Sequence, residues 1–176
     1  EITRPNSEPV EVVGGSMLNV AAGLTRLGHE SELATWFGRD ARGNKVRAHA
    51  EAAGVTLTPG SDGADFTTVA HANLDERGRA TYEFDLSWDV PAVEDPDSVG
   101  HVHTGSYAVV LEPGADKVLA AVKRQAIRGT VSYDPNIRPA LLGTPDEARP
   151  HIEAIVALSD VVKASDEDLE WLYPGR

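Results

Sequence analysis

Two adjacent glycines followed one helical turn later by an asparagine, Gly14–Gly15–Ser16–Met17–Leu18–Asn19, open the set of residues whose types and spacing suggest chemistry. Paired glycines let a backbone pass close to a ligand without a Cβ in the way. A helix starting at Ser16 aims its N-terminal N–H groups at the same place, and Asn19 on its first turn offers both a donor and an acceptor. A polyhydroxyl ligand asks for that combination. The same residues also read as a tight turn capped by Ser16, with Asn19 a surface amide. They are not a dinucleotide fingerprint, because the third glycine and a long apolar strand before them are missing. Further along, Asp134–Pro135–Asn136 is turn chemistry in its own right. Ser165–x–x–Asp168 reads as a capping box with Asp in place of the usual Glu. His101 and His103 alternate on a strand, but no third ligand follows at metal-site spacing, so they read as satisfied strand histidines. His29, His49, His71 and His151 show no convergent pattern.

The elements that must position these residues alternate between strand and helix. Glu11–Gly14 reads as a short extended run. A helix from Ser16 carries Val20, Leu24 and Leu27 on one face and ends at Gly28. Glu32–Phe37 reads as a strand, Asp40–Ala53 as a helix stopped by Gly54, and Val55–Thr58 as a strand. Phe66–Leu74 and Arg79–Leu86 are β-rich runs joined through Asp75–Gly78, a hairpin signal. The alternation resumes with strand His101–His103, helix Pro113–Ile127, strand Thr130–Asp134, a helix within Ala148–Leu158, strand Asp160–Lys163 and a helix over Ser165–Leu172. Such a rhythm predicts a mostly parallel sheet covered by helices, a three-layer α/β/α class, with the hairpin projecting as a separate small sheet.

The chain has 176 residues, no cysteine and a formal net charge of −12. Disulfides and thiolate metal sites are excluded, which fits a reducing compartment and a cytoplasmic location. No apolar run suggests a membrane span or an export signal. The acidity argues against nucleic-acid binding. It does not exclude a nucleotide, which needs only a local nest of N–H groups and one or two cations. The first residue is Glu1, so the numbering is expected to begin inside a longer chain or after processing.

The ordered set Gly14–Gly15–x–x–x–Asn19–Val20–Ala21 with Leu24, Arg26, Leu27 and Gly28, then Gly38–Arg39–Asp40–x–x–Gly43, His103–Thr104–Gly105–Ser106, Asp134–Pro135–Asn136–x–Arg138–Pro139 and Lys163–x–Ser165–x–x–Asp168 closely resembles the N-terminal portion of pfkB (ribokinase) family carbohydrate kinases. The resemblance implies a partial ribokinase-like domain over residues 1–176, with lid segments at about 8–14 and 64–90. It implies sugar contacts from Gly14, Gly15 and Asn19, with Asp40 and Gly43 in the loop bordering the pocket. The lid would supply a hydrophobic wall from Tyr82 or Phe84. Gly105, Asn136 and Arg138 would flank the sugar and the transferred phosphate. Lys163, Ser165 and Asp168 would serve the nucleotide, Asp168 acting indirectly on magnesium where the family places Glu. ATP, Mg2+ and a monovalent cation are the implied cofactors, a small sugar the partner, and a homodimer through the lid the implied assembly.

The family's late Gly-Ala-Gly-Asp element, which supplies the catalytic base and a phosphate nest, is absent, so the sequence reads as the front of a longer enzyme with no catalytic base of its own. A complete protein is expected to phosphorylate a sugar with ATP and this portion alone to be inactive. The resemblance is nearest to fructokinase-type members, with Phe84 where an acid-binding lid arginine would be expected; this favours a neutral ketohexose. Ribose, nucleoside and 2-keto-3-deoxygluconate remain alternative substrates, and a non-catalytic sugar-binding or dimerisation module the alternative class.

Overall fold

In the computed structural model, residues 1–3, 8–74, 80–93 and 98–176 are described, and they fall into two units, Glu1–Ser87 and Trp88–Arg176. The expected turn Asp75–Gly78 lies outside the described residues.

In the first unit, β1 (Ile2–Thr3) pairs in parallel with β4 (Val69–Leu74), which pairs antiparallel with β5 (Ala80–Asp85) in the register Ala70↔Phe84. This is the small sheet expected of the hairpin, with one correction. Residues 11–14 form no strand; the third strand is Ile2–Thr3, and among the described residues of this segment Val10 alone bridges back to it. Glu11 is instead drawn to a helix, where its carboxylate accepts from Arg42 Nε at 2.8 Å and Lys45 Nζ at 2.5 Å. A second pair, β2 (Glu32–Leu33) with β3 (Thr56–Leu57), is parallel. Helices α1 (Ser16–Arg26) and α2 (Ala41–Ala52) cover it, and Gly28 and Gly54 follow them at positive φ as expected of left-handed caps.

The face that α1 buries differs from the expected one. Leu18, Ala21 and Ala22 are buried with Leu33, Ala50 and Val55, whereas Leu24 is 36% and Leu27 77% exposed. Small alanines let the helix approach the strands closely, and the branched residues that look most core-like in sequence point outward.

In the second unit, β6 (His101–Gly105), β7 (Thr130–Asp134) and β8 (Val161–Val162) form a parallel sheet in that order. Between them run a 3-10 turn (Ser106–Val109), α3 (Gly114–Gln125), α4 (Pro139–Leu142) and α5 (Pro145–Val156), and α6 (Asp166–Leu172) follows β8. Val131 and Tyr133 of β7 sit in a core with Val122, Ile152, Ile155 and Leu172. Helix α5 begins earlier than its apolar pattern suggests, because Thr144 and Glu147 make a reciprocal capping box and Pro145 occupies the first turn. Among the described residues no helix is long and apolar enough to cross a membrane.

Candidate active site

In the first unit, the start of α1 is set by Gly15, whose φ of 127° and ψ of 129° suit glycine and strain other residues. No side chain caps this helix, so the Ser16 cap that the sequence also allows does not form. The Asn19 N–H closes the first helical bond on Gly15 O at 2.9 Å. Its side chain is exposed, with no hydrogen-bond partner among the described residues. A Cβ built on Gly14 would meet nothing within 4 Å, so the chain's own packing does not require a glycine there.

Asp40 and Gly43 lie at the start of α2 and are consumed by the scaffold. Asp40 Oδ1 accepts from Gly43 N at 2.7 Å and Thr67 Oγ1 at 2.8 Å, and Oδ2 accepts from Thr67 N at 2.8 Å. The Gly43 N–H and then the Thr67 donors hold its pKa below the usual carboxylate value despite partial desolvation. A Cβ on Gly43 would fall 1.8 Å from Gly38 O, so this glycine is required by the close approach of two backbone segments. Thr67, whose hydroxyl also accepts from Gly38 N at 3.1 Å, ties the entry to β4 onto α2. Sequence reasoning missed it because the bond spans 27 residues with no local motif. Phe84 is half-buried on β5; of Tyr82 only the backbone is described.

In the second unit, the expected residues converge on the carboxyl ends of three parallel strands, the edge where open α/β sheets bind ligands. Gly105 ends β6 opposite Asp134 of β7. Lys163 follows β8; its N–H donates to Tyr133 O at 3.0 Å, and its ammonium lies 3.2 Å from Asp134 Oδ2. Between Asp134 and Arg138 the loop is tied down at several points. Asn136 N donates to Asp134 Oδ1 at 3.1 Å, Ser106 N to Pro135 O at 3.1 Å, Ser106 Oγ to Asn136 O at 3.2 Å, and Arg138 Nη1 to Ile137 O at 2.8 Å. Ser106 and Asn136 both adopt left-handed backbone, with φ of 58° and 39°. Asn tolerates this conformation; for a buried serine it is a local strain of the kind that gathers at functional sites. With its backbone tied, the Asn136 side-chain amide has no partner among the described residues, and the exposed Arg138 guanidinium reaches back to the Asn136 and Ile137 carbonyls.

Ser165 and Asp168 form the expected capping box on α6, with Asp168 Oδ2 accepting from Ser165 N at 2.9 Å and from Ser165 Oγ at 2.8 Å. Asp168 is only 5% exposed, and its Oδ1 reaches back to accept from Ile137 N at 2.7 Å. Burial alone would raise its pKa, but the N–H groups of Ser165 and Ile137, the Ser165 hydroxyl and the Lys163 charge outweigh it and hold the group ionised. His101 and His103 both bond to Ser132 Oγ, at 2.7 and 2.8 Å, and His101 also bonds to Thr130 Oγ1 at 2.8 Å, so hydroxyls on the neighbouring strand satisfy them. Among the described residues no three His, Asp or Glu side chains gather into a metal site.

A family model for pfkB family carbohydrate kinases matches residues 2–174. A fructokinase from Rhizobium leguminosarum bv. trifolii is 30% identical over 90% of this chain and 50% of its own length, and one from Klebsiella pneumoniae is 32% identical over 90% and 54%. The chain thus spans about half the length of the curated relatives it matches. A fructokinase from Vibrio cholerae solved in apo form superimposes with a TM-score of 0.81 at 26% identity, covering 99% of this chain and 63% of that one. Its fold, ribokinase-like α/β, is the fold expected from the sequence, and among the named strand pairs described here only β4–β5 is antiparallel. The chain belongs to the pfkB family of carbohydrate kinases.

Proposed function

We propose that this chain serves the ATP-dependent phosphorylation of a sugar hydroxyl, with a neutral ketohexose such as fructose as acceptor. The observation that carries the reading is the rim at the end of β7, where a well-tied loop offers the amide of Asn136, unpartnered among the described residues, close to the Arg138 guanidinium. An amide donates to one hydroxyl and accepts from another, and a guanidinium neutralises charge on phosphoryl oxygens. The Asn19 amide, without a hydrogen-bond partner among the described residues, and Gly14, which leaves room for close approach, support sugar binding in the first unit. The fructokinase names of the relatives support fructose, and the half-buried Phe84 is in keeping with an uncharged acceptor.

In the reaction the sugar oxygen attacks the γ-phosphorus, the bond from that phosphorus to the bridging oxygen breaks, and ADP leaves. The hydroxyl proton passes to a carboxylate outside these residues. The protein's share is alignment and charge neutralisation. Asn136 orients the sugar, while Arg138 and Lys163 face phosphate. Magnesium arrives as part of the nucleotide substrate; Asp134 and Asp168, the carboxylates nearest this rim, are already engaged by N–H, O–H and ammonium donors. We extend the same reading to a homodimer through the β1–β4–β5 sheet, which sedimentation tests.

A coupled ADP-release assay on the complete protein, run with fructose, ribose, a nucleoside and 2-keto-3-deoxygluconate, tests the function. Fructose is expected to be preferred, and this chain alone to give no turnover. Asn136→Ala is expected to lower kcat/KM for sugar by about 10- to 100-fold with little change in the KM for ATP. Preference for the acidic sugar, or an N136A variant with unaltered sugar kinetics, overturns the reading.

A further inference from the structure

A capping box needs one carboxylate oxygen. The acidic side chain at the third helical position accepts from the N-cap N–H, and such groups ordinarily stand at the surface. Asp168 departs from this twice: it is 5% exposed, and its second oxygen spends a 2.7 Å bond on Ile137 N, 31 residues earlier in the chain. The cap does not require that bond. Among the described residues it is the one hydrogen bond from α6 to the backbone of the loop that presents Asn136 and Arg138, and it falls on the residue between them. Ile137 is itself buried at 6% exposure, so without Asp168 its N–H would be an orphan in an apolar setting.

The loop's other restraints come from the 3-10 turn, the end of β7 and the loop itself: Ser106 holds Pro135 O and Asn136 O, Asp134 holds Asn136 N, and Arg138 Nη1 donates to Ile137 O. Asp168 closes the remaining side. Ser165, by contrast, hydrogen-bonds among the described residues only to α6, at Asp168 and Leu169 N. The two halves of the Ser-x-x-Asp motif therefore have separable jobs.

We infer that Asp168 is a positioning residue for the Asn136–Arg138 loop, acting through the Ile137 N–H, with its cap on α6 serving to hold the carboxylate in place. The role differs from the indirect metal role that the family resemblance implies for this position. The kinase reading is needed only for the activity arm of the test.

Amide hydrogen exchange on the 176-residue chain provides the decisive measurement, with circular dichroism as the check that each variant is folded. Asp168→Ala, and separately Asp168→Asn, are expected to speed exchange at Ile137 by about 10- to 100-fold, the loss of a charge-assisted bond. Ser165→Ala is expected to speed exchange at the first turn of α6 while leaving Ile137 protected. If Ile137 exchange is unchanged in the folded Asp168 variants, or S165A exposes Ile137 to the same extent, the inference fails. Should D168A not fold, D168N and S165A still decide between the outcomes. In the complete enzyme, D168N is expected to raise the sugar KM at an unaltered half-saturating Mg2+ concentration. A raised Mg2+ requirement with the sugar KM unchanged overturns the positioning role. An enzyme inactive on every sugar would sink the kinase reading and leave the exchange result standing.

Discussion

At the scale of single residues, the candidates sort by whether their polar groups are already used. Among the described residues Asn19 and Asn136 keep unpartnered side-chain amides, whereas Asp40 and Asp168 have both carboxylate oxygens engaged, and Gly43 is pinned by a backbone carbonyl. The paired glycines sort the same way. Gly15 needs its positive φ, and Gly14 has open space around it. Gly15→Ala is therefore expected to destabilise the chain by about 1–2 kcal/mol through backbone strain. Gly14→Ala is expected to change stability by less than about 0.5 kcal/mol while weakening sugar binding in the complete enzyme, because its new methyl enters the space a ligand would occupy. Denaturant midpoints and sugar KM values for the two variants check this. A destabilised G14A with normal KM would place Gly14 among the scaffold residues.

At the scale of elements, α1 shows what the sequence made legible and what it hid. Its start, its end and the Gly28 cap follow from local signals, and so does β7, which matches its expected bounds residue for residue. Its inward face does not, because hydrophobicity ranks Val20, Leu24 and Leu27 above alanines, while the tight approach to Leu33 and Ala50 selects Ala21 and Ala22. Leu18→Ala is expected to cost about 2–4 kcal/mol by leaving a cavity beside them. Leu27→Gln, at 77% exposure, is expected to cost less than about 0.5 kcal/mol. Equal losses in thermal or denaturant unfolding would restore the face read from sequence. The motifs were legible as positions but not as partnerships. Nothing local announces that Asp40 meets Thr67, that Asp168 meets Ile137, or that Ser106 sits in left-handed backbone. Each of these depends on segments far apart in sequence meeting across a strand or helix end.

At the scale of the whole molecule, two electrostatic effects oppose each other as pH falls. The formal charge of −12 at pH 7 means like-charge repulsion that shrinks toward the isoelectric point near 4.8, and this favours the folded state. Against it stand carboxylates whose folded pKa values are depressed. Lys45 and Arg42 lower Glu11 from 4.5 to about 2, and Asp40, Asp62, Glu147 and Asp168 are also lowered. Such groups stabilise in full above their unfolded values of 3.8 to 4.5 and lose that contribution as pH falls through the folded ones. His103 adds a smaller term of the same sign. Burial lowers its pKa below 6.5, so its contribution is complete above 6.5 and fades as acid protonates the imidazole in the unfolded state first. One partly exposed imidazole is weaker than the relief of a twelve-charge imbalance, so denaturant midpoints at fixed ionic strength are expected to peak at about pH 5–6. Below pH 4.5 the depressed carboxylates dominate, and the midpoints are expected to drop continuously toward pH 2. Glu11→Gln should flatten the lowest part of that limb, since Lys45 and Arg42 hold this carboxylate at about 2, and leave the limb between pH 5 and 7 nearly unaltered. A midpoint that keeps rising down to pH 3, past the isoelectric point where net repulsion grows again, would mean that the bonded carboxylates do not govern the acid stability of this chain.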